Sequence, residues 1–207
     1  MDMSSPYAVA LSSAEGPILA VLAGTTRALS GREVARLSGV SANGAWKALR
    51  RLAEHGLVRE EPAGGRTTRY TLNREHVACE AVTTLTRLRA ILVARLRDRV
   101  ASWTLQPLHA SLFGSAARGD GDTRSDIDLL LVRPKGTVED DPQWRSQLDG
   151  LARAAWSWTG NHTSIAEIPE GELARLRRER PPVVEDVMRD GITLLGEPAS
   201  VLLGRSR

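Results

Sequence analysis

Residues 112–132 read Leu-Phe-Gly-Ser-Ala-Ala-Arg-Gly-Asp-Gly-Asp-Thr-Arg-Ser-Asp-Ile-Asp-Leu-Leu-Leu-Val. The apolar run Ala110–Phe113 has the character of a buried strand that stops at Gly114, a residue suited to an unusual backbone conformation or to close approach by a ligand. Ser115 adds a hydroxyl and a backbone N–H, and amides at such a turn attract phosphate oxygens. Ten residues separate Ser115 from Asp126. Among them Gly119, Asp120, Gly121 and Asp122 are loop formers that let the chain reverse. Side chains alternate along the strand that follows, so Asp126 and Asp128 share one face while Ile127 and Leu129 take the other. A run as apolar as Leu129–Val132 has no structural use for two like charges at its mouth, whereas two carboxylates on one face make a divalent-metal site.

Hard oxygen ligands favour Mg2+, which keeps waters and substrate phosphates in its remaining positions. Two such ions bridged by carboxylates serve an in-line displacement in which a hydroxyl attacks and pyrophosphate leaves. The expected reaction class is nucleotidyl transfer, with a nucleoside triphosphate (NTP) as substrate.

Gly114-Ser115, a ten-residue gap and Asp126-Ile127-Asp128-Leu129 together resemble the signature of the polymerase-β-like nucleotidyltransferase superfamily, particularly its minimal branch, which includes antitoxins. The resemblance implies that Gly114 and Ser115 hold the triphosphate, that Asp126 and Asp128 hold the metals, and that Arg118 meets a phosphate. It also calls for a third carboxylate on a later strand. Glu167, in His162–Ile168, is the candidate for that metal-binding and catalytic acid, and without it catalysis would be impaired or absent.

Upstream, a second pattern runs from about Ser13 to Thr71. Ser30-Gly-Arg-Glu33 is a capping box opening a short helix through Leu37, and Gly39-Val40-Ser41 makes a turn and a new cap. The next helix, Ala42–His55, sets Ala45, Leu49 and Leu52 inward and presents Asn43, Trp46, Lys47, Arg50 and Arg51 outward. Strands are expected at Leu57–Glu60 and Arg69–Leu72, joined by a glycine-rich loop. Helix, turn, helix and hairpin make a winged helix-turn-helix, and the text resembles the MarR and ArsR type of bacterial DNA-binding domain. In that arrangement the second helix enters the major groove, and the wing residues Arg66 and Arg69 touch backbone or minor groove. A solvated face also suits Arg50 and Arg51.

The expected organisation is α+β, mixed: a winged helix-turn-helix over residues 1–75, a helical connector over 76–106, and a nucleotidyltransferase-fold α/β domain with a small mixed sheet over 107–207. The connector is expected as one helix from about Arg74 to Trp103, with Val77, Ala81, Leu85, Leu88 and Leu92 as an apolar stripe, and both a linking role and a homodimer seam stay open. Helices are expected from Asp141-Pro142 to Thr159, at Glu170–Arg180 and at Val183–Arg189, with strands around Glu167 and at Gly191–Leu195.

Residues 1–75 carry 10 basic against 7 acidic side chains, and residues 107–207 carry 13 against 16, so the basic excess sits in the first half. Cys79 is the one cysteine, which excludes an intrachain disulfide and suits a small core hydrophobe. No stretch is apolar enough to span a bilayer, and a cytoplasmic protein with no membrane partner is expected. Two functions follow: an enzyme transferring a nucleoside monophosphate to a protein, RNA or small-molecule hydroxyl, with a DNA-binding winged helix that autoregulates as in toxin–antitoxin operons, or a transcriptional regulator whose nucleotidyltransferase domain senses nucleotide or is inactive. The partners these readings name are a nucleoside triphosphate and a DNA site, with a protein or tRNA as an acceptor for the enzyme.

Overall fold

The computed structural model describes residues 1–64 and 67–204. They fall into two compact units, residues 5–88 and residues 1–4 with 89 onward. The division lies inside the segment read as a connector.

The first unit begins with a 3-10 turn, Pro6–Val9, followed by α1 (Glu15–Ala23), β1 (Leu29–Ser30), α2 (Gly31–Ser38), α3 (Ala42–Glu54), β2 (Val58–Pro62), β3 (Thr68–Leu72) and α4 (Cys79–Thr86). Ser30 closes the expected capping box: its hydroxyl accepts from the Glu33 amide, and Glu33 accepts from the Ser30 amide at 2.8 Å. The Ser30 amide, with the Ser30 hydroxyl and the Arg27 guanidinium that also donate to it, holds the Glu33 carboxyl down at about 2. Gly39 ends α2 in the left-handed conformation at φ 70°, and Ser41 caps α3. Antiparallel strands in the order β1-β3-β2 form the wing. Ile18, Leu19, Val34, Ala45, Leu49, Leu52 and Tyr70 are buried together at the centre of this unit.

No single helix spans Arg74–Trp103. Asn73 caps a turn instead, accepting from the Glu75 amide and donating to the Gly56 carbonyl. The helix that begins at Cys79 breaks at Arg87, and α5 starts anew at Leu88–Ala101. The break resets the helical phase, so the expected stripe fails. Val77 is 95 % exposed, while Cys79 and Val82 pack into the first core and Leu92, Val93, Leu96 and Val100 into another. Three threonines, Thr83, Thr84 and Thr86, precede the break. β-branched residues are poor helix formers, and the Thr86 hydroxyl turns back to donate to the Thr83 carbonyl at 2.8 Å.

In the second unit β4 (His109–Phe113) runs into α6 (Gly114–Arg118), then β5 (Ile127–Arg133), α7 (Pro142–Thr159), β6 (Thr163–Pro169), a 3-10 turn at Glu170–Glu172, α8 (Leu173–Glu179), α9 (Pro182–Asp190), β7 (Ile192–Gly196) and α10 (Ala199–Leu202). The sheet order is β6-β5-β4-β7, parallel only between β5 and β6. Asp141 caps α7 by accepting from the amides of Gln143 and Trp144, and Pro142 stands at its first position as expected. One face of the sheet carries Ala110, Leu112, Ile127, Leu129 and Leu131 against Leu96 of α5 and Trp144, Leu148 and Leu151 of α7. The other carries Leu130 and Val132 against Leu173, Leu176, Val184 and Val187 of α8 and α9. Trp103 and Trp144 meet edge to face at 5.6 Å.

His109 is fully buried on β4, with Nδ1 bonded to the Glu197 carbonyl at 2.8 Å and Nε2 unpaired among the described residues. Burial pushes the imidazole below its ordinary value, with the Glu197 carbonyl opposing. The unfolded chain therefore binds a proton first as pH falls below about 6.5, and stability drops from there until the folded imidazole also protonates. Thermal unfolding between pH 7.5 and 5 is expected to show a steeper acid decline for the native protein than for His109→Gln; equal slopes would remove His109 from the titration.

Candidate functional site

Gly114 leaves β4 at φ 68°, the left-handed region that favours glycine. A Cβ at this position would collide with Oδ2 of Asp128. The two residues are near neighbours because Phe113 and Asp128 face each other in the β4–β5 ladder. The missing side chain at 114 is thus the space that the Asp128 carboxylate fills. Asp128 is half-buried and Asp126, just ahead of β5, is exposed. Burial pushes the Asp128 carboxyl above its ordinary value, and the charge of Asp126 pushes the same way, with a further rise from Asp186 of α9. Arg118 opposes the shift. A cation between the two carboxylates would relieve this repulsion.

The amides of the first turn of α6 lack intrahelical acceptors, and no side chain caps them. The turn is braced from behind: Arg89 of α5 donates through Nη1 to the Ala117 carbonyl at 2.9 Å, under the left-handed Gly119. Arg118 is held by Asp120 at 2.9 Å and by Asp190 of α9 at 3.1 Å. Its charge acts on Asp128, and its guanidinium is already paired with carboxylates that a triphosphate would have to displace.

The loop from Gly119 to Ser125 is shaped by its own polar groups. Asp122 Oδ1 accepts from the amides of Arg124 and Ser125, and these bonds, led by the Arg124 amide, pull its carboxyl below the ordinary value. Buried Asn161 donates from Nδ2 to the carbonyls of Ser125 at 2.9 Å and Asp122 at 3.3 Å. Met3 is buried in the same unit, and the amides of Met3 and Ser4 donate to the Gly121 carbonyl at 2.8 and 3.2 Å. Arg89, Asn161, Asp186 and Asp190 carry no local motif, and each reaches the site from a distant part of the chain.

Glu167 is not with them. In the β5–β6 register it lies beside Leu131, on the face covered by α7, whereas Asp128 lies beside Ser164 on the face covered by α8 and α9. Glu167 pairs instead with buried Arg133 at 2.7 Å and with Arg145 of α7 at 3.4 Å. The β6 residues on the Asp128 face are Ser164, Ala166 and Ile168, none of them acidic. Among the described residues no three side chains from His, Cys, Asp and Glu gather as a metal cage. Among the described residues this leaves Asp126 and Asp128 as a carboxylate pair, with the charge of Asp186 acting on Asp128 from α9.

On the winged helix, Asn43, Trp46, Lys47 and Arg50 project together from the exposed face of α3. A cleft of about 650 Å³ opens beside Trp46, lined among others by Ser30, Arg32, Leu49, Thr68 and Tyr70. Arg51 turns away to pair with Glu15 of α1, and Arg69 donates to the Ala28 carbonyl at 3.3 Å. Arg66 lies outside the described residues.

The comparisons with known proteins fall on the same two regions. Residues 17–62 match the model of the IclR helix-turn-helix domain, and residues 93–183 match that of the nucleotidyltransferase domain. The helix-turn-helix match is of the IclR type, where the sequence pattern resembled MarR and ArsR. No curated protein matches the chain. The architecture is mixed α+β, with a helix-turn-helix followed by a nucleotidyltransferase-like region, and no described helix is long and apolar enough to cross a membrane.

Proposed function

We propose that this chain binds DNA through its winged helix and, in its C-terminal unit, binds a nucleoside triphosphate with Mg2+ and transfers the nucleoside monophosphate to an acceptor hydroxyl on a protein, an RNA or a small molecule. The observation that carries the reading is the seat of Asp128 in the space left by Gly114, with the charge of Asp126 close enough to act on it, because free turn amides suited to a phosphate then stand beside carboxylates suited to a cation. Asp126 and Asp128 would hold the ion, which when bound supplies charge neutralisation at the phosphates. The first-turn amides of Gly114 and Ser115 orient the triphosphate. Arg118 exchanges Asp190 for a phosphate oxygen, a charge-assisted bond of the same kind. Glu167 has no part in these steps.

A second reading, a regulator that senses nucleotide without turning it over, is favoured by Ser164. It occupies the β6 position beside Asp128, where a carboxylate would add a ligand for a second ion or a base for the acceptor. Incubation with Mg2+ and α-labelled nucleoside triphosphates separates the two. Transfer predicts pyrophosphate release that falls at least ~100-fold in Asp126→Asn and in Asp128→Asn, about 2.7 kcal/mol of lost transition-state stabilisation. Mg2+-dependent binding without pyrophosphate, lost in the same variants, selects the sensor. Binding and turnover untouched by both substitutions would overturn the site.

A further inference from the structure

We infer that Arg50 is the side chain by which α3 reads DNA sequence, taking a guanine in the major groove, and that Trp46 beside it meets the methyl group of a neighbouring thymine. The inference rests on the DNA-binding reading of the winged helix and names what that helix selects.

Trp46, Arg50 and Glu54 stand four residues apart along one line of α3. Arg50 Nε donates to Glu54 Oε1 at 2.9 Å, and the guanidinium carbon lies 5.7 Å from the centre of the Trp46 ring. Carboxylate and ring therefore hold the guanidinium from two sides, while Nη1 and Nη2 have no partner among the described residues. Those two terminal nitrogens form the fork that matches the O6 and N7 acceptors of guanine. A fork oriented beforehand, even by an exposed pair, loses less side-chain freedom on binding than a loose one.

The neighbouring arginines are oriented otherwise. Arg51 is turned onto Glu15, and Arg69 onto the Ala28 carbonyl. Lys47, exposed on the same face, is a point charge suited to phosphate rather than to a base edge. Trp46 remains 54 % exposed although it is the largest apolar side chain of the helix. Its open ring lies next to the fork, and the one apolar group on a major-groove edge is the thymine C5-methyl. The cleft beside Trp46, with Ser30, Arg32 and Thr68 in its lining, leaves room for the sugar-phosphate strand that flanks the read bases. The pair points to a thymine-guanine step.

The test is selection of a random duplex library by the full chain at one fixed salt concentration, followed by affinities for the selected duplex and single-base variants of it. The native protein is expected to enrich a TG step and to bind about tenfold more weakly when its G·C pair becomes A·T. Arg50→Ala should abolish that discrimination alone, and Trp46→Ala the preference for thymine at the neighbouring position. Glu54→Ala, which frees the fork, should lower the discrimination without weakening binding to non-specific duplex. Circular dichroism on each variant confirms that the helices persist. An Arg50→Ala protein that selects the native motif would overturn the inference while leaving DNA binding intact. A native protein that enriches no duplex would remove the DNA-binding reading and the inference with it.

Discussion

Glu167→Ala is expected to destabilise the C-terminal unit by about 3–5 kcal/mol, because it strands the buried Arg133 guanidinium without its counter-charge. Arg133 is 7 % exposed, its Nε has no partner among the described residues, and Arg145, the other cation at Glu167, is on the surface. A free cation in that position cannot be fully hydrated without loosening the packing of α7 on the sheet. In a thermal scan the loss corresponds to a midpoint lowered by roughly 10 °C. Replacing both partners, Arg133→Met with Glu167→Leu, should recover most of it, since an apolar pair of similar volume removes the uncompensated charge as well as the bond. Nucleotide affinity of the folded Glu167→Ala protein should be unchanged. The opposite pattern, a native midpoint with lost Mg2+-dependent nucleotide binding, would return Glu167 to the metal site.

Gly114→Ala should do the reverse, costing little fold stability and nearly all nucleotide binding. Two penalties coincide at this position. A backbone at φ 68° costs an L-residue about 1–2 kcal/mol, and the new methyl must displace the Asp128 carboxylate. The Asp128 carboxylate therefore has to leave the place it holds against the Gly114 turn. Misplacement on the scale of 1 Å in such a constellation lowers activity about 100-fold. Titration of the Mg-nucleotide by calorimetry should show the affinity reduced at least to that extent, with an unfolding midpoint within a few degrees of native. Native affinity in Gly114→Ala would mean that the turn and the aspartate do not share a ligand.

Much of this protein was legible in short range. The Ser30–Glu33 capping box, the Asp141-Pro142 helix start and the inward spacing of Ala45, Leu49 and Leu52 depend on neighbours three or four residues away, and all three stand in the structure. Cys79 is buried as a small core residue. The Arg74–Trp103 helix failed for a long-range reason. Its two halves pack into different cores, and a break at Arg87 that no single glycine or proline marks lets each half take its own phase.

Sequence alone thus determined the two-part plan and the coincidence of a Gly-Ser turn with an Asp-Ile-Asp strand, since both are written in contiguous residues whose geometry follows from backbone periodicity. Tertiary structure alone decided which residues join Asp128 on its face of the sheet. Whether Glu167 or Ser164 stands beside Asp128 depends on the register of β6 against β5, and in a strand a shift of one residue exchanges the faces. No pattern within either strand sets that register; it is chosen by the apolar cores closing on both sides of the sheet.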